Sequence, residues 1–298
     1  MSNLAFACIA PHGTITIPLL AGSEAHKATA TRLALEELGR RMVEVAPETI
    51  VLITPHGHRV DGVFSLLHNL RVQGVLAEDQ EGTQHSLKLS FEVDQELNLA
   101  ICEQAQSLGV PVAKIGYALP EAQRFVQELD WGALVPLWFL AAHLTPQPRV
   151  IIACPDRGNL SNLPWELFPR FGQAIHQAAN ATGRRIALIA SADLGHSHDA
   201  TGPYGFNPAS AEFDAALQEA ICAQDLGRLL TFDLDWLKRA TTDAYGQVLN
   251  LHGAIQHTSL RGELLSYEVP TYFGMLCAAY QSDTPSALQG TAIPPSLE

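Results

Sequence analysis

Residues 49–58 read TIVLITPHGH. A short run of β-branched and aliphatic residues with no polar alternation predicts a strand buried on both faces, and Pro55 ends it because proline has no N–H to give a neighbouring strand. His56 therefore leaves the strand at its carboxyl end. The same arrangement occurs at residues 4–13, LAFACIAPHG, where His12 follows Pro11, and at 185–198, RIALIASADLGHSH, where His196 and His198 follow the apolar run. In open α/β sheets that edge is where loops part to form a crevice and where ligands bind.

Working outward from these runs, further strands are expected near 110–115 and 149–153. Segments of helical period separate them, near 30–46, 93–108, 132–144, 164–181, 208–223 and 236–256. Strands alternating with helices predict one α/β domain with a central, mostly parallel sheet flanked by helices on both faces. Residues 60–92 break the alternation with short extended pieces at 68–72 and 86–93, which predicts a small antiparallel excursion or hairpin lid. The catalytic domain is expected to span 1–280. Residues 281–298, with three prolines and little periodicity, are expected to be a surface tail.

Composition narrows the function. A chain of 298 residues that is 47% hydrophobic can bury a large core, and its net charge of −13 with 18 Lys and Arg argues against nucleic acid or an anionic membrane surface as partner. A small molecule fits better. The five cysteines are far apart and mostly lie in apolar stretches, so neither a disulfide framework nor a Cys-based zinc site is expected. The N-terminus lacks the charged start and apolar core of a signal peptide, and no run is long enough to span a membrane, which predicts a cytoplasmic protein.

Two neutral imidazoles and a carboxylate on one face of a metal leave coordination positions open, an arrangement that suits a non-haem Fe(II). A third imidazole close by could shuttle protons near neutral pH. A single histidine after a strand is ordinarily a polar loop residue, and His12 taken alone reads that way. Three strand ends of this kind put the metal or catalytic reading on an equal footing with the plain one. His26, His68, His85, His143, His176, His252 and His257 read as ordinary surface or core residues. Residues 202–206, GPYGF, are wrongly spaced for a dinucleotide loop, and no P-loop, GxSxG elbow or HExxH is present.

The segments ITPHGH (53–58) and ASADLGHSHD (190–199) resemble motifs of the class III extradiol ring-cleavage dioxygenases, the superfamily of the protocatechuate 4,5-dioxygenase catalytic subunit. GPYGFNPASAEFD, LDWGALVPLWFL at 129–140 and GELLSYEVPTYFGM at 262–275 extend the resemblance, in the same order, over residues 4–280. It implies His12 and His56 as metal ligands and His196 as acid/base, with His198 lining the pocket or facing water and His58 a lesser candidate. The family's third ligand is a glutamate near the start of the last long helix. Here the nearest match is Asp243, one methylene shorter, which could equally be a helix-start residue; Glu268 and Glu263 are fallbacks. Several relatives carry a histidine where this chain has Trp131, whose ring reads as a wall of the site.

The resemblance further implies cleavage of a catechol-like or 2-aminophenol-like aromatic with O2 as co-substrate and Fe(II) as cofactor, with Zn2+ or Mn2+ as alternatives. Three rival readings stay open: zinc chemistry on the same scaffold, a Memo-like protein that binds without cleaving rings, and a subunit that needs a partner chain. A homodimer is the expected assembly.

Overall fold

Why the three histidine-bearing loops converge follows from the order in which the strands pair. The computed structural model describes residues 2–80, 82–156 and 163–282. The first half contains β1 (Leu4–Ala10), α1 (Pro18–Ala21), α2 (Thr29–Val45), β2 (Thr49–Ile53), β3 (Phe64–Leu67), β4 (Arg71–Gln80), β5 (Thr83–Glu92), α3 (Gln95–Ser107) and β6 (Val112–Ile115). The second half contains β7 (Gln127–Glu128), α4 (Trp131–Leu140), β8 (Arg149–Cys154), α5 (Leu167–Thr182), β9 (Ile186–Ser191), α6 (Pro208–Cys222), α7 (Leu234–Ala240), α8 (Ala244–Ile255), β10 (Arg261–Glu268) and β11 (Met275–Gln281).

Eight strands form the main sheet in the order β10-β11-β1-β9-β2-β8-β3-β6. Its centre is parallel: β9 pairs in parallel with β1 on one side and β2 on the other, and β2 pairs in parallel with β8. β1 and β2 are therefore not neighbours. β9 lies between them, so the loops carrying His12 and His56 meet above the end of β9 and the residues that follow it. The reversed connections lie towards the flanks, where β11 runs antiparallel to β1 and β3 antiparallel to β8.

Alternation along the central strands splits the core in two. Ala7 and Ile9 of β1, with Val51 and Ile53 of β2, join a cluster that contains Phe171 and Ile175 of α5 and Val248 and Leu251 of α8. Phe6, Cys8, Ile50 and Leu52 point the other way, into a cluster with Leu35, Leu38 and Met42 of α2 and Leu134 and Leu137 of α4. Both faces of the sheet are thus covered, as the continuous apolar runs require. The irregular stretch after His58 resolves into β3, which joins the main sheet, and the β4–β5 hairpin, which forms a three-stranded sheet with β7. Of the expected tail, residues 283–298 lie outside the described residues.

The segment expected as one helix over 236–256 is two, α7 and α8, separated by Thr241, Thr242 and Asp243. Thr241 ends α7 in the left-handed region at φ 50°, an uncommon place for a β-branched residue. The apolar period runs through the break, which carries neither proline nor glycine, so nothing in the pattern announces it. α8 is seated backbone to backbone on α5: a Cβ on Gly253 would lie 1.8 Å from the Pro169 carbonyl oxygen, and one on Gly172 would lie 1.8 Å from that of Asn250. Backbone cannot swing aside as a side chain can. Gly253→Ala is expected to lower unfolding stability by about 3 kcal/mol, read from the urea midpoint, because the two helices must part.

Candidate metal centre

His12 is almost wholly buried, at 2% exposure. Its Nδ1 lies 3.0 Å from Ser191 Oγ, while that hydroxyl donates to the Gly132 carbonyl at 2.5 Å. A hydroxyl has one proton, so Ser191 accepts from His12 Nδ1–H, and the network directs Nε2 into the site. Nε2 stands 3.2 Å from His56 Nε2, with the two rings edge to face.

His56 is placed by β2 and by the start of α4. Its backbone N–H donates to Thr54 Oγ1 at 3.2 Å. Gly132 leaves room for its ring, since a Cβ there would lie 2.5 Å from Thr54 Oγ1 and 2.9 Å from His56 Cδ2. The neighbouring Trp131 places its ring 4.7 Å from the His56 ring and remains nearly half exposed.

Asp243 sits in the break between α7 and α8. It occupies the N-cap position of α8, yet its side chain makes no cap hydrogen bond. The carboxylate instead turns to the imidazoles, with Oδ2 3.5 Å from His12 Nε2 and 3.6 Å from His56 Nε2. The helix-start reading thus describes its backbone and not its side chain. Among the described residues, His12, His56 and Asp243 form the group whose donor atoms all lie within 4.8 Å of one another and could hold a metal.

The donor set fits a divalent ion. Bonds of about 2.0–2.2 Å at right angles place neighbouring ligand atoms roughly 3 Å apart, close to the separations above. Side-chain exposures of 25% for His56 and 22% for Asp243, against 2% for His12, leave the group open on one side.

His196 stands at the rim. Its Nδ1 is 2.7 Å from the Leu194 carbonyl, which can only accept, so Nδ1 carries a proton and Nε2 holds the lone pair of the neutral ring. Phe273 stacks on the ring at 5.2 Å, and Tyr204 and Tyr272 lie at 5.7 and 6.0 Å. His198 is engaged elsewhere: its Nε2 is 2.9 Å from Asp214 Oδ2, on a buried carboxylate that also accepts from Tyr267 Oη–H and Gly195 N–H. His58 lies on the exposed loop, outside the group of three. Glu268 accepts the Thr31 N–H, and Glu263 pairs with Arg41, so neither fallback carboxylate belongs to the group.

The residue that sequence reasoning passes over is Asp193, which is 3% exposed. Its Oδ1 accepts the His12 backbone N–H at 3.1 Å, its Oδ2 lies 3.2 Å from His12 Nε2, and its own N–H donates to Asp243 Oδ1 at 3.0 Å. The available signal was an acidic residue directly after a strand, inside a motif read for its histidine.

These carboxylates set the charge of the group. Burial by itself pushes the His12 pKa down, but Asp193, Asp243 and Asp130 outweigh it and raise it to about 9. Burial raises Asp193 to about 6, whereas Asp243 is held below the ordinary carboxylate value because His12, His196 and His56 overcome the effect of its burial. A metal bound at Nε2 displaces the His12 proton. Metal affinity is therefore expected to fall about tenfold per pH unit below pH 9, with close to one proton released per ion at pH 7. Calorimetry in buffers of different ionisation enthalpy reads that proton directly.

Residues 6–276 match the family described as the catalytic LigB subunit of aromatic ring-opening dioxygenase, and the chain belongs to it. Enzymes of this family depend on a metal. Protein CA_C1420 of Clostridium acetobutylicum is 28% identical over 277 residues, which are 92% of this chain and 57% of that protein. The chain thus spans little more than half the length of that relative. The crystal structure of uncharacterized protein JW3007 from Escherichia coli K12 superimposes with a TM-score of 0.54 at 15% identity, over 92% of this chain and 99% of that one, which shows a shared fold. Among the described residues no helix is long and apolar enough to cross a membrane.

Proposed function

We propose that this chain is a non-haem Fe(II) extradiol dioxygenase that opens a catechol-like or 2-aminophenol-like ring, with His12, His56 and Asp243 as the metal ligands and His196 as the acid/base. The observation that carries the reading is the placement of three donor atoms within 4.8 Å of one another, open on one side. When bound, the metal supplies a common template for the aromatic and O2 and a path for electrons between them.

The chain's own residues do the rest. Trp131 beside His56 and Phe273, Tyr272 and Tyr204 around His196 offer flat apolar faces for an aromatic ring. His196 Nε2 accepts a proton from a hydroxyl or amino group of the substrate and later returns it, while the Leu194 carbonyl keeps Nδ1 protonated and the ring oriented. Ser191, through Gly132, holds His12 in the tautomer that keeps its Nε2 turned towards His56 and Asp243.

The test is O2 uptake by anaerobically Fe(II)-loaded protein given catechol, 4-methylcatechol or 2-aminophenol, with the ring-opened product followed by its visible absorbance. Uptake stoichiometric with substrate supports the reading. Metal binding without uptake by any of the three sinks the dioxygenase assignment and leaves a metal-binding protein on the same scaffold.

A further inference from the structure

Asp193 connects two of the candidate ligands without joining their group. It is absent from the group of donors that lie within 4.8 Å of one another, yet it touches both His12 and Asp243. Its carboxylate grips His12 twice, at the backbone N–H through Oδ1 and alongside Nε2 through Oδ2. Its backbone N–H occupies Asp243 Oδ1 at 3.0 Å. That leaves Oδ2 as the Asp243 oxygen turned to both imidazoles.

We propose that Asp193 is a positioning residue whose carboxylate fixes the geometry of the metal site by holding His12 in place. The proposal rests on the reading of His12, His56 and Asp243 as metal ligands. The chemical logic is that of an outer partner. A short aspartate in a helix break has little reach, and a carboxylate free to rotate could offer one oxygen, two or neither. The backbone N–H of residue 193 on Oδ1 settles that choice before any ion arrives, whatever side chain the residue carries. The carboxylate itself acts at the His12 end, where Asp193 and Ser191 lie on the two sides of one imidazole. Ser191 sets its tautomer, and Asp193 sets the height of its backbone above the sheet. Ser191 ends β9, the strand that separates β1 from β2, and Asp193 follows two residues later.

The experiment uses the full chain with Co(II) as probe, comparing wild type, Asp193→Ala and Asp193→Asn. Visible absorption of the bound cobalt reads ligand geometry, competition with a chromophoric chelator reads affinity, and near-UV circular dichroism reports the fold. The expected result is that Asp193→Ala binds cobalt about 10–100-fold more weakly and shifts its visible bands. Asp193→Asn, whose amide oxygen still accepts the His12 N–H, is expected to keep the wild-type spectrum and lose less than about tenfold in affinity.

Wild-type spectrum and affinity in Asp193→Ala would overturn the proposal. So would equal loss of cobalt in both variants, because the carboxylate charge, or Asp193 as a ligand in its own right, would then be what matters. Where Asp193→Ala does not fold, the Asn variant decides: an unchanged spectrum supports positioning, and a lost one rejects it. Wild type that binds no cobalt sinks the metal-site reading and this proposal together, whereas cobalt bound equally by wild type and Asp193→Ala sinks this proposal alone.

Discussion

Replacing His196 with glutamine is expected to leave metal content unchanged and to lower turnover about 10²–10⁴-fold, the usual contribution of a positioned acid/base. The two halves of that result have separate causes. His196 lies outside the donor group, so the ion keeps its ligands. Glutamine is polar and of similar reach, so the stack against Phe273 and the bond to the Leu194 carbonyl can be partly kept, but an amide does not take up and return a proton. Steady-state O2 uptake with metal analysis on the same sample measures both. Loss of metal together with activity would place His196 among the ligands, and unchanged turnover would remove it from the chemistry.

His12→Ala is expected to do the opposite and abolish metal binding, an effect beyond the roughly 100-fold that losing an outer partner costs. The substitution removes the most buried of the three donors. It also leaves Asp193, at 3% exposure, without the imidazole that its Oδ2 faces, and Ser191 without its Nδ1–H. Removing one partner of a buried ion pair costs about 3–5 kcal/mol, so the metal-free variant is also expected to unfold at lower urea concentration than metal-free wild type. His56→Ala is the useful contrast: its side chain is 25% exposed, and its loss should remove the metal with a smaller fall in stability. If His12→Ala retained wild-type metal affinity, the imidazole would be a core residue and the site would have to be sought elsewhere.

What could be read in the sequence was whatever leaves a local trace. A central strand buried on both faces is a continuous apolar run, and proline stops it one residue before a histidine, so His12 and His56 were visible as strand-end residues. Which strands neighbour one another leaves no such trace. The insertion of β9 between β1 and β2 is a tertiary fact, and it is what brings Ser191 and Asp193 against His12. The break at 241–243 was invisible for a related reason, since the residues around it keep a helical apolar period and α8 is held by its packing on α5. Asp243 came forward by resemblance to a family motif, and its capping position made it ambiguous. Only the direction of the side chain separates the two readings. Asp193 lay in plain view, but the pattern gave it no periodicity, charge partner or spacing to mark it.

The three candidate ligands come from near both ends of the chain, in the loops after β1 and β2 and at the N-cap of α8, and no two of them share a segment. An ion held by them is therefore a cross-link that exists only in the native state, tying the first strand to one of the last helices across the whole domain. Its binding energy counts towards the folding of the entire chain, by about 2.7 kcal/mol when free metal is at a hundred times its dissociation constant. Metal supply would then bear on how long the protein survives proteases, apart from any reaction it performs.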